Sequence, residues 1–154
     1  MSSKQAIDSF LACRRVAVVG VSRDAGDFSR AVFRALVERG YDAVPVNPAG
    51  GEAEGRRSVA RVGDVQPPPE AALLLTPARA SAQVVRECAD AGVRRVWLHR
   101  GGGEGAVSAE ALALGRERGL EVVDGECPLM FLSHSGFVHG VHRFFRRLAG
   151  RLPS

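Results

Sequence analysis

The chain has 154 residues and a mass of 16.4 kDa, which is one domain's length with room for a real core. Hydrophobic residues at 45% and charged residues at 25% exclude a disordered chain, and no apolar run approaches the roughly 18–20 residues of a membrane span, so no stable membrane insertion is expected. The net charge of +4 is carried by four tail bases, Arg143, Arg146, Arg147 and Arg151, and the balanced remainder argues against a nucleic-acid-binding body.

In chain order, residues 3–12 read as a short leading helix, with Ser3 as cap and Ala6, Ile7, Phe10 and Leu11 apolar. Residues 16–19 are an apolar, β-branched run ending at Gly20, the pattern of a strand buried on both faces of a parallel sheet. A helix is predicted over 29–39, with Ser29 as N-cap, Val32, Phe33, Leu36 and Val37 on one face, and Gly40 as the stop. Residues 43–46 form a second strand. Residues 47–69, rich in Gly and Pro, read as a loop with a short helical turn near 58–62.

A third strand spans 71–75 and closes at Pro77. Helix 79–91, strand 95–98, helix 107–118 and strand 120–123 then alternate, with Gly101 to Gly103 breaking the chain between them. A last amphipathic helix covers about 137–150. Alternating strands and helices without a hairpin signal predict one α/β domain, a doubly wound parallel sheet of five strands in the order 3-2-1-4-5.

Ligands of such sheets sit beyond the carboxyl ends of the strands, where strand order reverses. Gly20 opens a tight turn there, and its amides, with the helix N-terminus at Ser29 and Arg30, suit a diphosphate. Ser22 stands where the dinucleotide fingerprint has its second glycine. At the end of the second strand, where NAD-binding units place an acid for the ribose hydroxyls, the chain has Asn47. A neutral amide does not repel a phosphorylated ribose, which favours coenzyme A or NADP over NAD. The plain alternative is that Asn47 and Pro48 make a turn.

The strings VAVVGVS at 16–22, GYDAVPVNP at 40–48, VWLHRG at 96–101 and CP at 127–128, in this order and spacing, resemble the small stand-alone CoA-binding proteins. Their Rossmann-like domain is similar to the N-terminal domain of the succinyl-CoA synthetase α subunit. The stretch CPLMFL at 127–132 followed by FFRR at 144–147 resembles a subgroup with an extra C-terminal helix. The resemblance implies a coenzyme A or acyl-CoA site. Gly20, Val21 and Ser22 would cradle the diphosphate, and Arg23 and Arg30 would meet phosphate charge. Asn47 and Pro48 would flank the adenosine ribose, Thr76 and Pro77 would line the cleft, and His99 and Gly101 would border its far side. Relatives more often carry Gln or Glu near His99 and Arg100. The synthetase subunit has a second domain with a phosphohistidine, which this chain does not reach, so ligase activity by the chain alone is not expected.

No complete catalytic constellation is visible. Ser22, His99 and Asp124 all fall near the sheet's carboxyl edge, but Ser22 lacks the G-x-S-x-G elbow of a nucleophilic serine. Cys127 with His134 would make a thiolate pair, and His139 and His142 share a helix face; the plainer readings are a small residue before a proline and surface histidines. Three widely spaced cysteines (Cys13, Cys88, Cys127) exclude a disulfide scaffold and a zinc ribbon, and with no signal-peptide pattern the expected compartment is the cytoplasm. The last helix carries Phe137, Val138, Val141, Phe144, Phe145 and Leu148, more apolar surface than one ordinary face, and is expected to form a homodimer contact. Two alternatives stay open: an NAD(P)- or nucleotide-binding sensor, and a detached CoA-binding component of an acyl-CoA ligase that needs a partner subunit.

Overall fold

The computed structural model describes residues 4–100 and 105–130. Five parallel strands form one sheet: β1 (Arg15–Val19), β2 (Asp42–Val46), β5 (Ala71–Leu74), β6 (Arg95–Leu98) and β7 (Glu121–Asp124). A separate two-stranded ribbon, β3 (Glu52–Ala53) and β4 (Arg56–Arg57), lies in the connection after β2. The helices are α1 (Lys4–Leu11), α2 (Phe28–Glu38), α3 (Ala78–Asp90) and α4 (Ala109–Glu117), with a 3-10 turn at Val62–Asp64. The Rossmann-like α/β class expected from the sequence is therefore the observed one. The C-terminal helix expected over 137–150, and with it the dimer contact, lies outside the described residues.

Alternation along the strands divides the core in two. Val16, Val18, Leu73, Trp97 and Val123 point to one face, where α1 and α2 pack through Ile7, Phe10, Val32, Phe33 and Leu36. Ala17, Val19, Ala72, Leu74, Val96 and Leu98 point to the other, under Val85 and Cys88 of α3 and Ala111 of α4. β5 is wholly buried, as a central parallel strand must be. Trp97 is fully buried, meets Phe10 edge to face at 5.2 Å, and donates its indole N–H to the Glu126 carbonyl.

The strand order is β2-β1-β5-β6-β7, which is 2-1-3-4-5 when only these five strands are counted. It corrects the expected 3-2-1-4-5. The reason lies in the connection from β2 to β5. Val62 and Val65 of that segment pack on the α3 face, opposite α2. A right-handed crossover on that face must return past β1 and set down β5 on its far side. The expected order would have needed the segment on the α2 face.

Two smaller differences share one cause, side-chain chemistry in turns. The N-cap of α2 is Asp27, not Ser29: the Asp27 carboxylate accepts from both the N–H (2.9 Å) and the hydroxyl (2.6 Å) of Ser29. The β3–β4 ribbon turns through Glu54 and Gly55, at φ 49° and 77°. A two-residue hairpin loop of this kind needs positive φ at both positions, normally signalled by Asn-Gly or Asp-Gly, and Glu54 gives no such signal.

Phe10 is 2% exposed and fastens α1 to Trp97. Phe10→Ala should cost about 3–5 kcal/mol of stability, read as a lower urea midpoint at unchanged slope, with α1 the first element to lose amide protection in hydrogen exchange.

Candidate functional site

The chain moves from β1 outward to β2 and then crosses back to β5, so the reversal of winding falls between β1 and β5. This is where a ligand crevice opens in a doubly wound sheet. With the expected order it would have fallen between β1 and β6. Its walls are the turn after β1, residues 20–27, and the segment Leu75-Thr76-Pro77 after β5.

Gly20 makes this junction. Its φ is +97°, and a Cβ there would stand 3.0 Å from the Leu75 carbonyl oxygen. Its N–H donates to the Val46 carbonyl at 2.9 Å, while Leu75 N–H donates to Val19 at 2.8 Å. Gly20 thus ties three strand ends, and only glycine combines the positive φ with so close a backbone approach.

The rest of the turn is framed by its own side chains. Ser29 Oγ accepts the Ser22 N–H at 2.8 Å, and Ser22 Oγ accepts the Asp24 N–H at 3.0 Å. Asn47 Nδ2 donates to the Val21 carbonyl at 2.9 Å, and its Oδ1 accepts the Ala49 N–H at 2.8 Å. Arg30, only 8% exposed, donates to the carbonyls of Ser22 (3.4 Å) and Arg23 (3.2 Å) and pairs with Glu54 at 3.0 Å. Arg34 reaches the same carboxylate at 3.4 Å. The turn is thereby clamped between α2 and the β3–β4 ribbon. Asn47, Ser29 and Arg30 hold the frame and spend most of their polar capacity on it.

What the frame leaves open is limited and specific. Among the described residues, the N–H groups of Val21 and Arg23 have no acceptor. The Arg23 side chain is exposed and in no ion pair with a described residue, and its stem passes so close to Gly51 that a Cβ there would sit 2.5 Å from Arg23 Cδ. Pro48 and Pro77 are exposed at the crevice rim; Thr76 is half-buried, with its hydroxyl 2.9 Å from that of the buried Ser81. The amides of Val21 and Arg23, the Arg23 guanidinium and hydroxyl-lined walls can receive an anion such as a diphosphate.

His99 closes the far side, and with it comes a residue that sequence reasoning passed over. Phe28, the first residue of α2, stacks on the His99 ring at 5.0 Å between centroids. It stayed hidden because it precedes the apolar stripe of its helix and belongs to neither core cluster. His99 Nδ1 is buried without a partner, and burial lowers the ring's pKa, so the imidazole is neutral at pH 7. No hydrogen bond joins His99 to Ser22 among the described residues. Gly101, His134, His139 and His142 lie outside the described residues. Of the three free thiols, Cys13 and Cys88 are buried, and burial pushes Cys88 up to about 12. Among the described residues no cluster of three metal-ligating side chains occurs, and no helix is long and apolar enough to cross a membrane.

Gly20→Ala should destabilise by at least about 1–2 kcal/mol, the cost of left-handed backbone for an L side chain, with the Leu75 contact added; urea unfolding measures it. Asp27, hydrogen-bonded by Ser29, and Glu54, hydrogen-bonded by Arg30, both titrate below the ordinary carboxylate range. Their contribution is complete above that range and disappears as pH falls through their depressed pKa values. Asp27→Asn with Glu54→Gln should therefore flatten the acid limb of the stability–pH curve while lowering stability at pH 7.

The sequence pattern of the family described as the CoA binding domain matches residues 14–133. YneT of Bacillus subtilis, an uncharacterized protein, is 27% identical over 114 residues, covering 74% of this chain and 82% of that one. The alpha subunit of an ADP-forming acetate–CoA ligase I of Pyrococcus furiosus is 36% identical over 89 residues, covering 54% of this chain and 19% of the subunit. Among solved structures, a Thermus thermophilus protein described as cell-free ID.343 superposes with a TM-score of 0.74 at 28% identity, covering 87% of this chain and 98% of that one. With its Gly20 turn, its crevice between β1 and β5 and this match over most of its length, the chain belongs to the CoA binding domain family, and is related to the CoA-binding part of the acyl-CoA ligase α subunit.

Proposed function

We propose that the protein binds coenzyme A or an acyl-CoA in the crevice between β1 and β5, as a binding module without chemistry of its own. The observation that carries this reading is the pair of amides at Val21 and Arg23 that have no acceptor among the described residues, beside an Arg23 guanidinium in no ion pair with a described residue, in a turn whose other ends are held by Ser29, Arg30 and Asn47. Rigid donors receive a diphosphate without ordering cost. Gly20, Val21 and Ser22 form the cradle and Arg23 supplies the charge, while Ser29 and Arg30 act by holding the cradle's shape. Asn47 and Pro48 stand at the end of β2, where the ribose of a nucleotide lies in folds of this kind. Asn47 brings no negative charge to that position, which suits a phosphorylated ribose. Thr76 and Pro77 line the wall, and His99 marks the far border.

A second reading has its own support. The 36% identity to an acetate–CoA ligase alpha subunit favours a detached CoA-binding component that works with a partner subunit. Both readings need the same crevice and differ in whether the chain takes part in turnover, through a partner subunit, or only binds.

Thermal unfolding with coenzyme A, dephospho-CoA, NAD and NADP at matched concentration tests the site. Coenzyme A at 100 times its Kd should add about 2.7 kcal/mol, a shift of several degrees for a domain this size. Dephospho-CoA should give less. A shift with NAD and none with coenzyme A would make the protein a dinucleotide sensor instead. Arg23→Ala should weaken coenzyme A about tenfold and leave the unliganded unfolding temperature nearly unchanged, because Arg23 is exposed.

A further inference from the structure

We infer that the Phe28–His99 pair selects the ligand's arm, favouring the branched apolar arm of coenzyme A over the sugar of a second nucleoside. The inference rests on the reading of the crevice as a coenzyme A site. It starts from topology. Phe28 belongs to the connection after β1, His99 follows β6, and β5 lies between those strands in the sheet. The stacked rings therefore span the carboxyl end of β5 and border the crevice on the α2 side. Parity agrees: His99 is two residues after Trp97, whose side chain faces α1 and α2.

The chemistry of the two rings sets what can lie against them. Phe28 is 44% exposed, one of two large hydrophobic side chains so exposed among the described residues. The His99 ring stacks on it at 5.0 Å with an angle of 33° between planes. His99 also has its N–H bonded to Leu74 and its carbonyl bonded by Ala106, so the ring stands on fixed backbone. The result is a positioned apolar surface at the edge of a polar turn, beginning one residue after the cap that ends the turn.

A nucleotide whose diphosphate sits at Val21–Arg23 and whose ribose lies toward β2 must send its other half toward β5 and β6. In coenzyme A, the diphosphate on that side is followed by a methylene and then a carbon bearing two methyls. In a dinucleotide, it is followed by a second ribose with two hydroxyls. Methyl groups against Phe28 remove apolar surface from water, whereas ribose hydroxyls set there lose solvation with only a phenyl ring to face. His99, with its Nδ1 buried, leaves at most its Nε2 to meet a sugar's two hydroxyls.

The test is calorimetric titration of the full chain with coenzyme A and with its armless nucleotide, adenosine 3′-phosphate 5′-diphosphate. The change in the ratio of the two affinities on substitution is the readout, since the armless nucleotide carries an extra charge in every variant. Phe28→Ala and Phe28→Gln should each lower the preference for coenzyme A about tenfold, and Phe28→Tyr should keep it. Thermal unfolding of each variant establishes that it is folded, and either of the first two suffices. A fall of threefold or more in the ratio supports the inference, and a smaller change overturns it while leaving the coenzyme A site intact. If the wild-type chain binds neither molecule, the reading of the crevice fails, and this inference with it.

Discussion

The close approach of Gly20 to the Leu75 carbonyl, 3.0 Å from where a Cβ would stand, is the contact on which the rest of the architecture depends. It exists because β5 pairs with β1 along Val16–Val19. That pairing exists because the β2–β5 connection buries Val62 and Val65 on the α3 face and so must pass back beyond β1. Winding direction, the position of the crevice and the need for glycine are one constraint seen at three scales. A connection packed on the α2 face would have separated the Gly20 turn from Thr76 and moved the crevice to other residues.

The turn shows how a binding loop is kept in shape by residues that do not face a ligand. Arg30 is nearly buried, yet its charge is met by Glu54 and its donors by two carbonyls of the turn. The Ser29 hydroxyl accepts the Ser22 N–H and donates in turn to the Asp27 carboxylate. Such a network is worth most when every member is satisfied, and the Nε of Arg30 is its one buried group without a partner. Glu54 accepts a left-handed backbone to deliver its carboxylate, a local cost offset by two cations. A basic residue beside such a turn reads, from sequence, as a phosphate ligand; its neighbours show that Arg30 also belongs to the frame.

The sequence made the elements legible and left their connections less so. Buried strands announced themselves through runs such as 16–19 and 95–98, and helices through apolar stripes with glycine stops, because those signals are local. Strand order was misplaced because it depends on which face a loop with two scattered valines packs against, and no periodicity records that. The Glu54–Gly55 hairpin and the Asp27 cap leave no periodic signal for a related reason: one rests on Glu54 taking a positive φ while its carboxylate meets two arginines, the other on a carboxylate accepting from Ser29. At the candidate site, the Gly20 turn was readable from a glycine after a buried strand. Phe28 was not, since a single aromatic at a helix start has no pattern until the fold brings His99 to it.

On the proposed reading, any anion affinity of the turn would come from local geometry and not from overall charge. Arg30 and Arg34 share Glu54, and Asp24 and Asp27 add negative charge within the turn itself. The four arginines that give the chain its net +4 belong to the tail, not to the turn. On the proposed reading, an anion at the crevice would depend on Arg23 and on amides whose directions are fixed by the frame. Such a site would discriminate by shape, accepting a phosphate that fits the N–H groups of Val21 and Arg23 and giving little to one that is merely negative.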